Sequence, residues 1–175
     1  MWTFLPGGSV AIMMIREFAE ADWPQVWPIF RDVVRAADTF TYAPDTAEDE
    51  ARETWVESPP GRTVVALDEE RVLGTAKMGA NRPGPGAHVA TASFMVAADA
   101  RGSGVGTALC RDALEWARGR GYAGMQFNAV AASNEAAVAV YRRLGFFIVG
   151  TVPGAFAHPA LGRVGLHVMY CPLDG

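Results

Sequence analysis

The sequence predicts an α/β fold, with a central mixed sheet of seven strands flanked by about four helices. Three observations carry this. Apolar runs and helical stripes follow one another in the order β-α-α-β-β-β-α-β-α-β-β. Strands two to four are separated only by turns, which implies antiparallel pairing. The fourth and fifth are joined through a helix, which makes them parallel neighbours.

"MMIREF" reads as the first strand, and the Pro-Gly-Gly break before it sets off residues 1–13 as an N-terminal extension to a single domain over residues 14–175. "EADWPQVWPIFRDVVRAA" follows. Asp22 is placed to cap a helix whose apolar stripe is Trp23, Val26, Trp27, Phe30, Val33 and Val34. "DTFTYAPD" is a loop with an aromatic pair, and "TAEDEARETWVES" a short acidic helix. "TVVAL" and "VLGTAKMG", joined by a polar turn from Asp68 to Arg71, form a hairpin. "ANRPGPG" is a turn, and "AHVATASFMV" is the fourth strand. "DARGSGVGTALCRDALEWAR" then sets three glycines ahead of an amphipathic helix, and "GYAGMQFNAV" ends in the fifth strand. "SNEAAVAVYRRLG" is a helix with Ser133 or Asn134 as its cap and Gly145 as its stop. "FFIVGTV", a loop containing His158, and "VGLHVMY" close the chain with two more strands.

A chain of 175 residues is long enough to bury roughly 70% of its unfolded surface as one domain. Half its residues are hydrophobic and 19% charged, the balance of a soluble globular protein. Its formal net charge of −4 argues against coating nucleic acid or an anionic membrane. Two cysteines make no disulfide framework, and Cys110 reads as a small buried hydrophobe. There is no CxxC or His-rich cluster, so no metal site is expected. "VAIMMI" is too short for a signal-peptide core or a membrane span, and a cytoplasmic location follows by default.

The glycine loop admits three readings. A dinucleotide fingerprint needs a third glycine where Thr107 stands, and an acidic ribose ligand that "QFNAV" lacks. A P-loop needs a lysine, and the loop has none. What survives is a loop whose successive backbone amides wrap a pyrophosphate at a helix N-terminus, with a tight turn as the plain alternative. Gly102, Gly104 and Gly106 let the backbone approach, Arg101 adds a charge, and Ser103 or Thr107 a hydroxyl.

Arg101-Gly102-Ser103-Gly104-Val105-Gly106 matches the [QR]-x-x-G-x-[GA] signature of the GNAT superfamily of N-acetyltransferases. "SNEAAVAVYRRLGFF" is similar to a second segment of that family, N-x-x-A-x-x-x-Y-x-[KR]-x-G-F, with Asn134, Ala137, Tyr141, Arg143, Gly145 and Phe146 in register. The chain therefore resembles a GNAT enzyme over roughly residues 14–173, nearest the branch that acetylates small amines such as amino acids and phosphinothricin. The resemblance implies a sheet splayed between strands 4 and 5 and acetyl-coenzyme A (acetyl-CoA) as cofactor. Its pyrophosphate would lie on residues 101–107, and its pantetheine arm along Phe94, Met95 and Val96. It further implies contacts from Asn134 and Arg143, and Tyr141 near the thioester sulfur. Relatives are often dimers, so a homodimer is expected.

An amine attacking a thioester must be neutral, and deprotonating one of pKa about 10 at pH 7 costs on the order of 4 kcal/mol. The departing thiolate benefits from a proton, and the carbonyl oxygen from a fixed N–H. Tyr141 is the candidate acid, against the plain alternative that Ala137, Val138, Tyr141 and Leu144 are one packing stripe. The amide near Met95 or Val96 is the candidate oxyanion donor. No Glu or Asp lies between His88 and Val96, where many relatives place a base, which leaves His88 or a water relay. Phe40, Tyr42 and Asn128 are the candidate acceptor contacts, and Asp38 a possible attractor for a cationic amine, although the aromatics would equally pin their loop to the core. The expected function is transfer of acetyl to a primary amine of a small molecule. The alternatives are an acyl-CoA-binding sensor without catalysis and a peptide or protein N-acetyltransferase.

Overall fold

The structure is a computed structural model and describes residues 13–173. The expected extension lies outside the described residues except Met13, which packs against the core. The strands are β1 (Met14–Glu17), β2 (Arg62–Asp68), β3 (Arg71–Ala80), β4 (Val89–Val96), β5 (Gly124–Ala131), β6 (Phe147–His158) and β7 (Gly162–Pro172). The helices are α1 (Trp23–Ala36), α2 (Glu48–Trp55), α3 (Val105–Gly119) and α4 (Glu135–Arg143). All seven strands form one sheet in the order β1-β2-β3-β4-β5-β7-β6. β1 to β4 pair antiparallel in sequence order, with turns joining β2 to β3 and β3 to β4 and both α1 and α2 lying between β1 and β2. β4 and β5 run parallel, but only Val89 opposite Gly124 and Ala90 opposite Met125 are paired. Beyond Ala90 the two strands part.

Strand periodicity explains the two layers. In β2, Val64 and Ala66 face the cluster built by α3, while Val65 and Leu67 face the cluster of α1 and α2. A strand buried on both faces reads as an unbroken apolar run, which is what "TVVAL" is. In β4 the same alternation sends Ala92 and Phe94 to the α3 side and Met95 to the α1 side. The α1–α2 cluster centres on Trp55, whose Nε1 donates to Thr75 Oγ1 at 3.0 Å, and Thr75 in turn donates to the Val64 carbonyl at 2.9 Å. Thr75→Val keeps the shape but strands the buried indole N–H, so we expect a loss of about 1–3 kcal/mol. Urea unfolding checks this; a variant as stable as the parent would show that the bond contributes nothing.

Three sequence expectations need correction. Asp22 does not cap α1 with its side chain, because its own backbone is already helical (φ −82°, ψ −22°), whereas a capping residue is extended. Its carboxylate turns back to take both Arg16 guanidinium nitrogens, at 2.7 and 2.8 Å, and the Ala19 amide at 2.8 Å. The Arg16 bond holds the Asp22 carboxyl below its ordinary pKa. Along α1 the buried stripe also takes in Ile29, which the spacing had left out, while Trp27, partly exposed, still packs on the cluster and stacks on Trp23 and Phe30. Finally, His158 lies in β6 and not in a loop. The residues "PGAF" read as breakers, yet register shifts between Ile148 and Gly150 and between Val152 and Phe156 carry the strand through them. His158 Nδ1 accepts the Ala160 and Leu161 amides, at 3.1 and 3.2 Å, and so closes the β6–β7 turn.

Candidate active site

The glycine loop joins β4 to α3. Gly102 and Gly104 sit at φ of 77° and 89°, in the left-handed region where a side chain is strained. A Cβ built on either would meet nothing within 4 Å, so open space lies in front of this backbone. Gly104 is the N-cap of α3, and its carbonyl accepts the Ala108 amide at 3.0 Å. The amides from Gly104 to Thr107 are therefore the four that an α-helix leaves without intrahelical partners. They gather at the positive end of a 15-residue helix. Ser103 donates its hydroxyl to the Ala100 carbonyl at 2.6 Å, which fixes the loop and leaves the lone pairs of its oxygen outward. Arg101 is exposed beside it, and Val105 is buried, so only the main chain of Val105 is presented. Open space, unpaired donors and a dipole fit a diphosphate.

The divergence of β4 and β5 supplies the next element. Asn81 donates its amide to the Val89 carbonyl, and Ala97 donates to the Leu73 carbonyl, each at 2.8 Å. Antiparallel pairing alternates, so Val89, Thr91, Ser93, Met95 and Ala97 direct their main-chain groups to β3. Ala92, Phe94 and Val96 direct theirs the other way, into the gap that β5 has left. Of the two amides named as oxyanion donors, Val96 is the one that faces the gap. Met95 turns its backbone to β3 and its side chain to the α1 cluster.

Tyr141, on α4, is partly buried at the same gap. Its ring lies 4.6 Å from Phe127, 5.8 Å from Phe146 and 6.2 Å from Phe94 between centroids, so the aromatic group bridges α4, β4 and β5. Burial, and after it the nearby Cys110, raises the phenol's pKa above the ordinary tyrosine value. The phenol is thus a protonated donor throughout the neutral range. Asn134 caps α4 by accepting the Ala137 amide at 3.3 Å, the cap chosen of the two expected. Arg143 is exposed on the last turn of α4.

The other face of the sheet carries the acceptor candidates. Phe40 and Tyr42 stack at 5.6 Å and pack on Trp55 and Phe30, which ties their loop to the α1–α2 cluster. Asp38 precedes them with a buried Oδ1 that has no hydrogen-bond partner. Asn128 stands exposed at the β5 irregularity between Phe127 and Val130. It donates to Asn81 Oδ1 at 2.6 Å and accepts from Gln126 at 2.8 Å, a bridge between β5 and the β3–β4 turn. His88 lies exposed just ahead of β4, at its paired end and behind the point where the strands part.

A cavity of about 250 Å³ opens on this face beside β4 and is lined by Glu57, Lys77, Thr91 and Ser93 among others. These four were not singled out in the sequence. Glu57 ends a predicted acidic helix, and nothing local connects it to strands that follow much later. A larger hollow of about 630 Å³, between Arg62, Trp116 and Arg120, lies at the opposite end of α3 from the glycine loop. Fifteen helical residues, about 22 Å, separate it from the site.

The family model described as Acetyltransferase (GNAT) family matches residues 15–146. The chain belongs to the GNAT acetyltransferase family. A GCN5-related N-acetyltransferase from Kribbella flavida superposes with a TM-score of 0.91 at 51% identity, covering 94% of this chain and 99% of that one. An L-methionine sulfoximine/L-methionine sulfone acetyltransferase from Pseudomonas paraeruginosa is 34% identical over 145 residues, 79% of this chain and 83% of the relative. A phosphinothricin acetyltransferase from Sinorhizobium meliloti, in complex with acetyl-CoA, superposes with a TM-score of 0.79 at 25% identity, covering 93% of this chain and 89% of that one. The protein is an acetyl-CoA-dependent acetyltransferase with acetyl-CoA as its acetyl donor. Among the described residues no helix is long and apolar enough to cross a membrane.

Proposed function

We propose that this GNAT acetyltransferase acetylates the primary amine of a small, amino-acid-like molecule. One observation carries the reading: an open glycine loop leads onto a strand edge with unpaired amides, and that edge ends beside a protonated phenol. Both the curated relative and the structural neighbour solved with acetyl-CoA are named for small amino-acid-like substrates, which supports the acceptor class.

In this reading the amides of Gly102 to Thr107 hold the diphosphate. Arg101 and Arg143 add charge, and Ser103 and Thr107 offer hydroxyl groups. Phe94, Val96 and Asn134 line the arm, with Met95 supporting them from behind. Acetyl-CoA supplies an activated acyl thioester. The Val96 amide stabilises charge developing on the carbonyl oxygen, and Tyr141 donates to the leaving sulfur. Phe40, Tyr42 and Asn128 bound the acceptor side. A cytoplasmic setting goes with this chemistry and with two buried free cysteines.

A thiol-release assay tests the reading with L-methionine sulfone, L-methionine sulfoximine, phosphinothricin, spermidine and an alanine-ended peptide. Release with the amino-acid analogues is the expected result. Donor binding without release to any amine would indicate a sensor module, and release with the peptide alone would indicate a peptide acetyltransferase.

The protein is further proposed to be a homodimer through β6. That strand is a sheet edge, and it exposes more than half the surface of Phe147, Val149 and Val152. A second copy pairing antiparallel with itself would cover this edge in a two-fold interface. Val149→Lys combined with Val152→Lys should move the sedimentation coefficient from dimer to monomer. A wild-type protein that already sediments as a monomer would refute the interface.

A further inference from the structure

Glu57 is the carboxylate at the acceptor cavity, and three observations set it apart. It follows α2 directly, with its own amide held by Thr63 Oγ1 at 2.9 Å, so its backbone is fixed. Its Oε2 lies over Gly61, just ahead of β2, and Gly79 of β3, where an added Cβ would come within 3.1 or 3.9 Å. Neither of its carboxylate oxygens accepts a hydrogen bond among the described residues. Among the described residues its ion-pair partner is Lys77, the chain's only lysine, at 3.4 Å, and Lys77 spends its hydrogen bond on the Thr54 carbonyl at 2.6 Å. A partly buried carboxylate short of donors, on the wall of a cavity, is built to receive one.

The cavity stands where an acceptor must arrive. Thr91 and Ser93 line it with Glu57, and they are the β4 residues just past Ala90, where pairing with β5 ends. Thr91 pairs with Gly79 and Ser93 with Lys77, so the carboxylate sits one strand from the open edge. The fourth strand lacks any acidic residue between His88 and Val96, and His88 lies exposed ahead of β4, at the end where β4 and β5 are still paired. The role left empty on β4 is thereby filled from the loop after α2.

We infer that Glu57 is the general base of this acetyltransferase, binding the acceptor ammonium and taking its proton. The inference rests on the amine-acetylation reading above. The ammonium gives one proton to the Glu57 carboxylate, and the freed nitrogen lone pair forms the C–N bond to the acetyl carbon as the C–S bond breaks. The sulfur takes a proton from Tyr141, and the second proton of the new amide nitrogen restores the phenol through solvent. Coenzyme A leaves as the thiol, and Glu57 loses its proton to bulk water.

The test uses L-methionine sulfone and the full-length protein. Glu57→Gln keeps the side chain's size and its reach to Lys77. We expect kcat/KM to fall about 10²-fold at pH 7 with acetyl-CoA affinity unchanged by calorimetry. The groups facing Glu57 are Lys77 from β3 and Tyr42 from the α1–α2 loop, and no histidine is among them. The variant's rate should therefore climb about tenfold per pH unit toward the amine's pKa, since free amine must now come from solution, while the wild-type profile is flatter. A readout apart from turnover is amine binding in two buffers of different ionisation enthalpy: the wild type should exchange no proton with the buffer, because the ammonium's proton stays within the complex, whereas the variant should release one as it selects the free amine. Lys77→Met combined with Glu57→Gln separates the base from its ion pair: if the double variant regains wild-type turnover and slope, the pair and not the proton transfer was lost, and the inference fails. Equal turnover and pH slope in wild type and Glu57→Gln overturn it as well. A wild type that releases no thiol with this amine overturns the acceptor reading instead, and the inference with it.

Discussion

Gly104→Val is expected to weaken acetyl-CoA binding by about 10³-fold or more. Two causes combine. The φ of 89° belongs to the left-handed region, where an L-residue is strained by roughly 1–2 kcal/mol and a β-branched one by more, so the loop must turn its amides to relax. The new side chain also enters the open space in front of the loop, where the diphosphate is proposed to lie. Losing two charge-assisted amide bonds at about 2 kcal/mol each accounts for the factor. Folding should lose only this backbone strain, because Gly104 is exposed and no neighbour within 4 Å is displaced. Calorimetric titration with acetyl-CoA, beside thermal unfolding of the free protein, separates the two effects. Gly104→Ala should fall between parent and valine variant. A valine variant that binds as the parent does would move the diphosphate off this loop.

The parts of this architecture that local chemistry decides were legible in the residues. "TVVAL" announces a strand covered on both faces, and "RGSGVG" announces a backbone that must bend left-handed ahead of a helix. Asn134 lies three residues before Ala137, as a cap requires. What escaped depends on meetings between distant segments. Asp22 is a sound cap by type, but Arg16 claims both of its oxygens, and the identity of Arg16 says nothing about that approach. Within "FMV", Val96 and not Met95 presents its amide to the gap. Pairing parity with β3 settles this, and it was visible only once Ala97 was seen to bond Leu73. Glu57 is the clearest case, since its cavity is closed by Lys77, Thr91 and Ser93 from two later strands. A search of β4 alone for an acid finds none. The fold can deliver the same chemistry from another element, and a base defined by position in a motif is then overlooked.

Tyr141→Phe is expected to lower turnover about 10²-fold or more while acetyl-CoA affinity and thermal stability stay near the parent values. The ring carries the packing: its neighbours Phe94, Phe127 and Phe146 are all apolar, and phenylalanine keeps every one of those contacts. The hydroxyl has no protein partner among the described residues, so its removal orphans no group. A purely structural tyrosine would be replaced at almost no cost in rate, which is why the substitution discriminates. The raised pKa adds a second signature. A phenol whose pKa exceeds the ordinary value of about 10 stays protonated across the neutral range, and its donating form is lost only when the pH passes that raised value. Removing it should therefore lower kcat by a constant factor from pH 6 to pH 9, without shifting either limb of the profile. Glu57→Gln should instead alter the slope, so the two substitutions separate the proton entering at sulfur from the proton leaving nitrogen. If Tyr141→Phe turns over as fast as the parent, the leaving sulfur draws its proton from solvent, and the aromatic group at the gap serves packing alone.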